Sequence, residues 1–238
     1  LTTAQLVAME TADVAALSTA AIPGLTTAQA AALTTGQVAA LTTAQIRALE
    51  TADVAALTTA QIVALTTAQA AALTTGQVQA LSTMQITSLT SDQLNSLSSD
   101  EIDALTTAQV RALTSDQLSA LSSTQVSVME TRDIAALSSD QVSHLSTDAI
   151  SALTTDQVAA LETQDLHALS TAQMAAFSTA DIVAMSSDQL HALSTAQIAA
   201  LSTATVLEIG AHFVPWIDHA VSAAATPAAI LAGTLATA

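Results

Sequence analysis

The stretch LTTAQAAALTTGQVAALTTAQIRA, residues 25–48, decides the fold, because it is three versions of one octad laid end to end. Stepping by eight in both directions from Leu25 reads through without a slip, from LTTAQLVA at 1–8 to LSTATVLE at 201–208, and gives 26 octads. Position 1 is Leu in 22 of them and otherwise Met9, Met129, Met185 or Phe177, so it is always large and apolar. Position 3 is Ser or Thr throughout. Position 5 is Gln in 17, Asp in five (Asp13, Asp53, Asp133, Asp165, Asp181) and Glu once, at Glu101. Position 6 is aliphatic or Met, reduced to a small side chain only at Ala30 and Ala70. A unit this short cannot bury its own apolar side and must stack on its neighbours, which makes the chain a solenoid.

The period selects the local structure. An uninterrupted helix would rotate its Leu stripe by about 80° per octad and scatter it over all faces. A strand fails as well, because positions 1 and 6 differ in parity and would point to opposite sides of a sheet. A short helix restarted in each octad satisfies both constraints. Ser or Thr at position 2 is the N-cap and Gln at position 5 is N3, the two halves of a reciprocal capping box. Position 1 is then N′ and position 6 is N4, the pair that forms a hydrophobic staple. Where position 2 is Glu (Glu10, Glu50, Glu130, Glu162), position 5 is Asp all four times. There the cap is expected one residue on, at Thr11, Thr51, Thr131 or Thr163, with the Asp in the first turn.

Helices of about six residues are unstable alone, so packing must hold them. The expected architecture is an all-α superhelical solenoid of about 26 eight-residue repeats, each a short capped helix and a corner. Positions 1, 6 and 8 are expected inside, with Ala at position 8 letting successive backbones approach; positions 4 and 7 are expected outside. Residues 9–48 resemble 49–88, which reads either as a duplication or as about five octads per superhelical turn. Pro23 and Gly24 predict a kink or a widened turn in the third unit.

The register ends at Glu208. Residues 1–208 form the solenoid, residues 209–220 hold Phe213 and Trp216 and read as a C-terminal cap or inter-subunit contact, and residues 221–238 read as an Ala/Thr-rich tail or linker. The tail is too rich in Ala, Ser and Thr, and too broken by Pro227 and Gly233, to read as a membrane span. Leu1 is already in phase and carries no signal-peptide features, so the sequence reads as processed or as a fragment.

Composition narrows the function. The net charge is −17, from 20 acidic residues against Arg47, Arg111 and Arg132, and this argues against nucleic acid and anionic lipid as partners. There is no Cys, hence no disulfide or thiol chemistry, and only 1% of the residues are aromatic. Asp140, Asp148 and Asp156 fall in consecutive octads and could stack into a carboxylate ladder for Ca²⁺, although dipole complementation in the first helical turn accounts for each of them. His212, Asp218 and His219 share the cap, but spacing alone does not converge them on a metal. The Ser and Thr rows lack the base and orienting acid of a nucleophilic site, and capping already uses many of their hydroxyls, which also weakens an ice-binding reading.

The unit LTTAQVxA in uninterrupted tandem resembles the octad stretches of large secreted or surface proteins of bacteria, often described as adhesin-like or repeat-containing. The resemblance covers residues 1–208, implies an extracellular structural or adhesive role, and carries over no functional residue. The expected function is a structural repeat protein, a rod or fibre segment at the cell surface, without enzymatic activity, cofactor or small-molecule substrate. Head-to-tail self-association is the expected partnership, with Leu1, Leu6 and Met9 at one end and Phe213 and Trp216 at the other as the inter-subunit candidates. The alternative is a solenoid binding module for a peptide or protein, which would need an exposed non-repeating patch; positions 4 and 7 offer no aromatic residue for one.

Overall fold

A computed structural model of the chain describes residues 1–202 together with Thr205 and Val206. The expected cap and tail, including Phe213, Trp216, His212, Asp218 and His219, lie outside the described residues. The described part is all helical, with 24 α-helices of four to six residues and one 3-10 turn, and it contains no strand. It divides into two compact units, residues 1–129 and residues 130 onward.

In the first unit the helices run from α1 (Thr3–Val7) to α15 (Ser123–Val128), one to each octad, with the 3-10 turn Ile22–Gly24 in the third. Pro23 provides the reason for that exception: it sits at the start of the turn, where its missing N–H and fixed φ are tolerated. Each helix packs against the one three octads away, as α6 (Thr51–Ala56) does on α9 (Thr75–Ala80) and α12 (Ser99–Asp103) on α15. The second unit, from α16 (Thr131–Ile134) to α24 (Thr195–Ala200), repeats the scheme internally, as in α17 (Ser139–Ser143) on α20 (Thr163–Ala168). Among the described residues no helix is long and apolar enough to cross a membrane.

The expected capping box forms in most octads. Thr58 accepts from the N–H of Gln61 at 3.3 Å while the Gln61 side chain accepts from the N–H of Thr58 at 2.6 Å. The Glu octads depart from expectation. Helices there begin with Thr at N1 and Glu10, Glu50, Glu130 and Glu162 occupy the N-cap itself, with extended backbone. Threonine does not take over because the octad register is held by burial at positions 1 and 6, and moving the cap by one residue would turn those side chains out of the core. The Asp of each such octad lies in the first turn, as expected.

Burial corrects the interior assignment. Positions 1 and 6 form the core: Leu41, Ile46, Leu105 and Val110 are each under 5% exposed. The third buried position is 5, not 8. Gln45, Gln61 and Gln77 are 1–2% exposed, whereas Ala48, Ala64 and Ala80 are half-exposed. Position 8 touches the preceding turn from the flank, as when Ser96 donates its hydroxyl to the carbonyl of Thr67 at 3.1 Å. Positions 4 and 7 are mostly exposed, as expected. The turn of the superhelix is also shorter than five octads: helices meet three octads apart, and the glutamines reach four octads back, so each turn takes between three and four.

Candidate functional site

The polar feature that recurs along both units is the buried column of position-5 glutamines. From Gln37 onward most of these amides carry out two tasks. The Oε1 accepts from the N-cap N–H of its own octad, and the Nε2 donates to the carbonyls that end the helix four octads earlier. Gln61 Nε2 lies 3.0 Å from Ala30 O and 2.7 Å from Leu33 O. In the second unit Gln189 Nε2 lies 3.0 Å from Val158 O and 2.8 Å from Leu161 O. The orientation of the amide is dictated by its partners, since the N–H side demands the oxygen and the carbonyl side the nitrogen. A helix of one or two turns leaves its last carbonyls unpaired. The glutamine of the next superhelical turn satisfies them, so one side chain closes the N-terminus of one helix and the C-terminus of another.

The sequence contained the signal for this role. A capping box needs only an acceptor at N3, and the positive end of the helix favours Glu over Gln there, yet Gln occurs 17 times and Glu once. Only the donor half of the amide explains that preference. Glu101 illustrates the contrast: its carboxylate takes both the backbone N–H and the hydroxyl of Ser98, and the residue is half-exposed rather than buried.

The Asp octads treat the same place differently. Asp165 accepts from Glu162 N–H at 3.0 Å and from the Ser139 hydroxyl at 2.8 Å, while Gln164 donates to Glu162. Arg132 pairs with Glu130 at 2.5 Å and reaches Asp133 at 3.9 Å. Asp53 is 2% exposed and its Oδ2 has no hydrogen-bond partner. Burial raises the pKa of this carboxyl above the usual value, and repulsion from Glu50 adds to the rise, against a lowering hydrogen bond from the Glu50 backbone. A carboxyl that binds its proton more tightly in the folded chain contributes stability at low pH, below the unfolded pKa, and loses it as pH rises through the folded value. Asp53→Asn is therefore expected to be more stable than the natural chain at pH 7 by about 1–2 kcal/mol in the absence of divalent cations. That difference should shrink toward pH 4. Denaturant unfolding at several pH values measures it, and an equal stability at pH 7 would show that the unpartnered oxygen carries no cost.

The other expected site residues are placed as follows. Asp140, Asp148 and Asp156 are exposed, each in the first turn of its own helix. Consecutive octads follow one another around a turn, and it is octads three apart that stack, so the three carboxylates are not laid one on another. Among the described residues no group of three or more His, Asp or Glu side chains converges as metal ligands would. His144 and His191 turn Nδ1 toward carbonyls of their own helices, Asp140 O at 2.7 Å and Ser187 O at 2.6 Å. Leu1 is 70% exposed and Met9 half-buried, whereas Leu6 is fully buried within the chain.

Short capped helices, an apolar interior and an amide seam between turns define a tandem-repeat α-solenoid. The ALTTAQ repeat model matches at residues 6–43, 46–83, 78–107, 99–129, 126–163, 158–195 and 174–207, and the chain belongs to the ALTTAQ repeat family. No curated protein matches it in sequence.

Proposed function

We propose that the chain is a non-catalytic structural segment, a rod or fibre piece displayed outside the cell or on its surface, which associates head to tail with further copies. The observation that carries this reading is the seam: in octad after octad the polar side chains that are buried are spent on joining one turn of the coil to the next. Construction of this kind stiffens and extends, because each turn is satisfied only when another turn lies upon it. Any terminal turn of such a coil presents unpaired carbonyls or unpaired amides, and the complementary end of a second copy fits them. A contact of that type is heterologous and does not close, so it propagates. The acidic surface is consistent with an exposed and well-solvated setting.

Electron microscopy of the purified chain, with mass by light scattering over a range of concentrations, tests the proposal. Elongated particles that lengthen with concentration are expected, and deletion of residues 209–238 should change that length distribution. Compact monomers at high concentration, with a deletion that alters only stability, would remove the fibre reading and favour a solenoid that binds a peptide or protein.

A further inference from the structure

Four octads replace the hydroxyl cap and the glutamine together, at Glu10/Asp13, Glu50/Asp53, Glu130/Asp133 and Glu162/Asp165. Each substitution puts two carboxylates where most octads have a neutral pair and where Ser98/Glu101 and Ser178/Asp181 have a single carboxylate. The chain itself shows what such a pair attracts. The Glu130/Asp133 pair holds the guanidinium of Arg132, and the Glu162/Asp165 pair is met by the amide of Gln164 and the hydroxyl of Ser139. At Glu50/Asp53 the corresponding position 4 is Ala52, which brings no donor, and Asp53 Oδ2 is buried without a partner. Asp13, in contrast, is exposed.

The seam identifies what faces Asp53. In the octads on either side, Gln45 Nε2 lies 3.0 Å from Val14 O and 2.8 Å from Leu17 O, and Gln61 Nε2 holds the matching carbonyls of Ala30 and Leu33. The same register assigns Ile22 O and Leu25 O to Asp53. Aspartate is one methylene shorter than glutamine and has no donor, so on that register, carried through the 3-10 turn Ile22–Gly24, carbonyl and carboxylate oxygens flank the place an amide nitrogen would fill. Oxygens alone, two of them on carboxylates, make the environment that a hard cation requires.

We propose that Glu50, Asp53 and the carbonyls of Ile22 and Leu25 form a binding site for one Ca²⁺ ion, which takes the place of the missing glutamine amide and joins the two turns. Calcium suits the site better than Mg²⁺ because it tolerates irregular carbonyl and carboxylate geometry, whereas Mg²⁺ demands a near-ideal octahedron and gives up water reluctantly. Exposed Glu50 leaves room for water to complete the shell.

Titration calorimetry of CaCl₂ into the full, calcium-free chain at neutral pH and moderate NaCl tests this. One saturable equivalent with a Kd on the order of 10⁻³ M is expected, with Mg²⁺ weaker by about tenfold or more. Asp53→Gln restores the residue most octads have, so it should fold, keep its helical circular dichroism and lose that equivalent. Glu50→Thr, which restores the ordinary cap residue, should weaken binding about tenfold. Heat that is non-saturable, or unchanged in Asp53→Gln, would mean that calcium only screens the acidic surface and would overturn the site.

Discussion

Leu105→Asp is expected to unfold the octads around it and remove the cooperative transition of the first unit, while Arg111→Ala leaves the melting curve within about 0.5 kcal/mol of the natural chain. Leu105 is 2% exposed at position 1, and Arg111, six residues on, is an exposed position-7 side chain. The substitution loses about 1.5–3 kcal/mol of apolar burial and adds several kcal/mol for a carboxylate taken out of water without a partner. Against a typical total of about 5–15 kcal/mol, that is enough to break a coil whose stability is a sum of contacts between neighbouring turns. Far-UV circular dichroism during urea unfolding reads the outcome. Equal sensitivity at the two positions would reverse the inside and outside of the solenoid.

The second large effect is expected from Gln77→Glu, which alters one atom of the seam. Gln77 Oε1 accepts from Thr74 N–H at 2.9 Å and Nε2 donates to Ile46 O and Leu49 O, both at 2.8 Å. Glutamate keeps the first bond and replaces the donor with a charged acceptor aimed at two carbonyls. A loss of about 2 kcal/mol at neutral pH is expected, with the side chain displaced toward solvent as Glu101 is. Protonation turns the carboxyl into a donor again, so the folded pKa is raised and part of the stability returns as pH falls toward the ordinary Glu range. Gln77→Ala, which loses both halves of the amide, should be destabilised without that pH dependence. A Glu variant as stable as the natural chain at pH 7 would show that the donor half of the amide does not join the turns.

How far the fold could be read from residues alone depended on which side chains act locally. Leu at position 1, the hydroxyl at 2 and the aliphatic residue at 6 act within one octad or on its immediate neighbours, and their spacing was sufficient to place short capped helices around an apolar interior. The glutamine acts across about thirty residues of chain, which no local pattern reveals, and spacing alone favours Ala at 8 as the third interior position; Gln77 is buried while Ala80 is half-exposed. The superhelical period was hidden for the same reason. The forty-residue similarity between 25–40 and 65–80 is compatible with duplication or with about five octads per turn, and the contact of α6 with α9 together with the reach of the glutamines places the turn between three and four. Of the two readings of that similarity, duplication or superhelical period, these contacts remove the second. Asp53 was visible as a member of the Glu/Asp octads, yet its unpartnered oxygen emerges only once the seam is built.

The central claim is that octads three apart stack on one another and that the glutamine seam joins the turns so formed. Because the chain has no cysteine, a designed pair reports on this without background. A Cβ at Gly76 would lie 3.6 Å from the Thr51 methyl, close enough for a disulfide after modest adjustment. Thr51→Cys with Gly76→Cys should oxidise to a closed loop that migrates faster on a non-reducing gel, and Thr51→Cys with Ser91→Cys, five octads apart, should not. Cross-linking of the second pair, or of neither, would contradict the account.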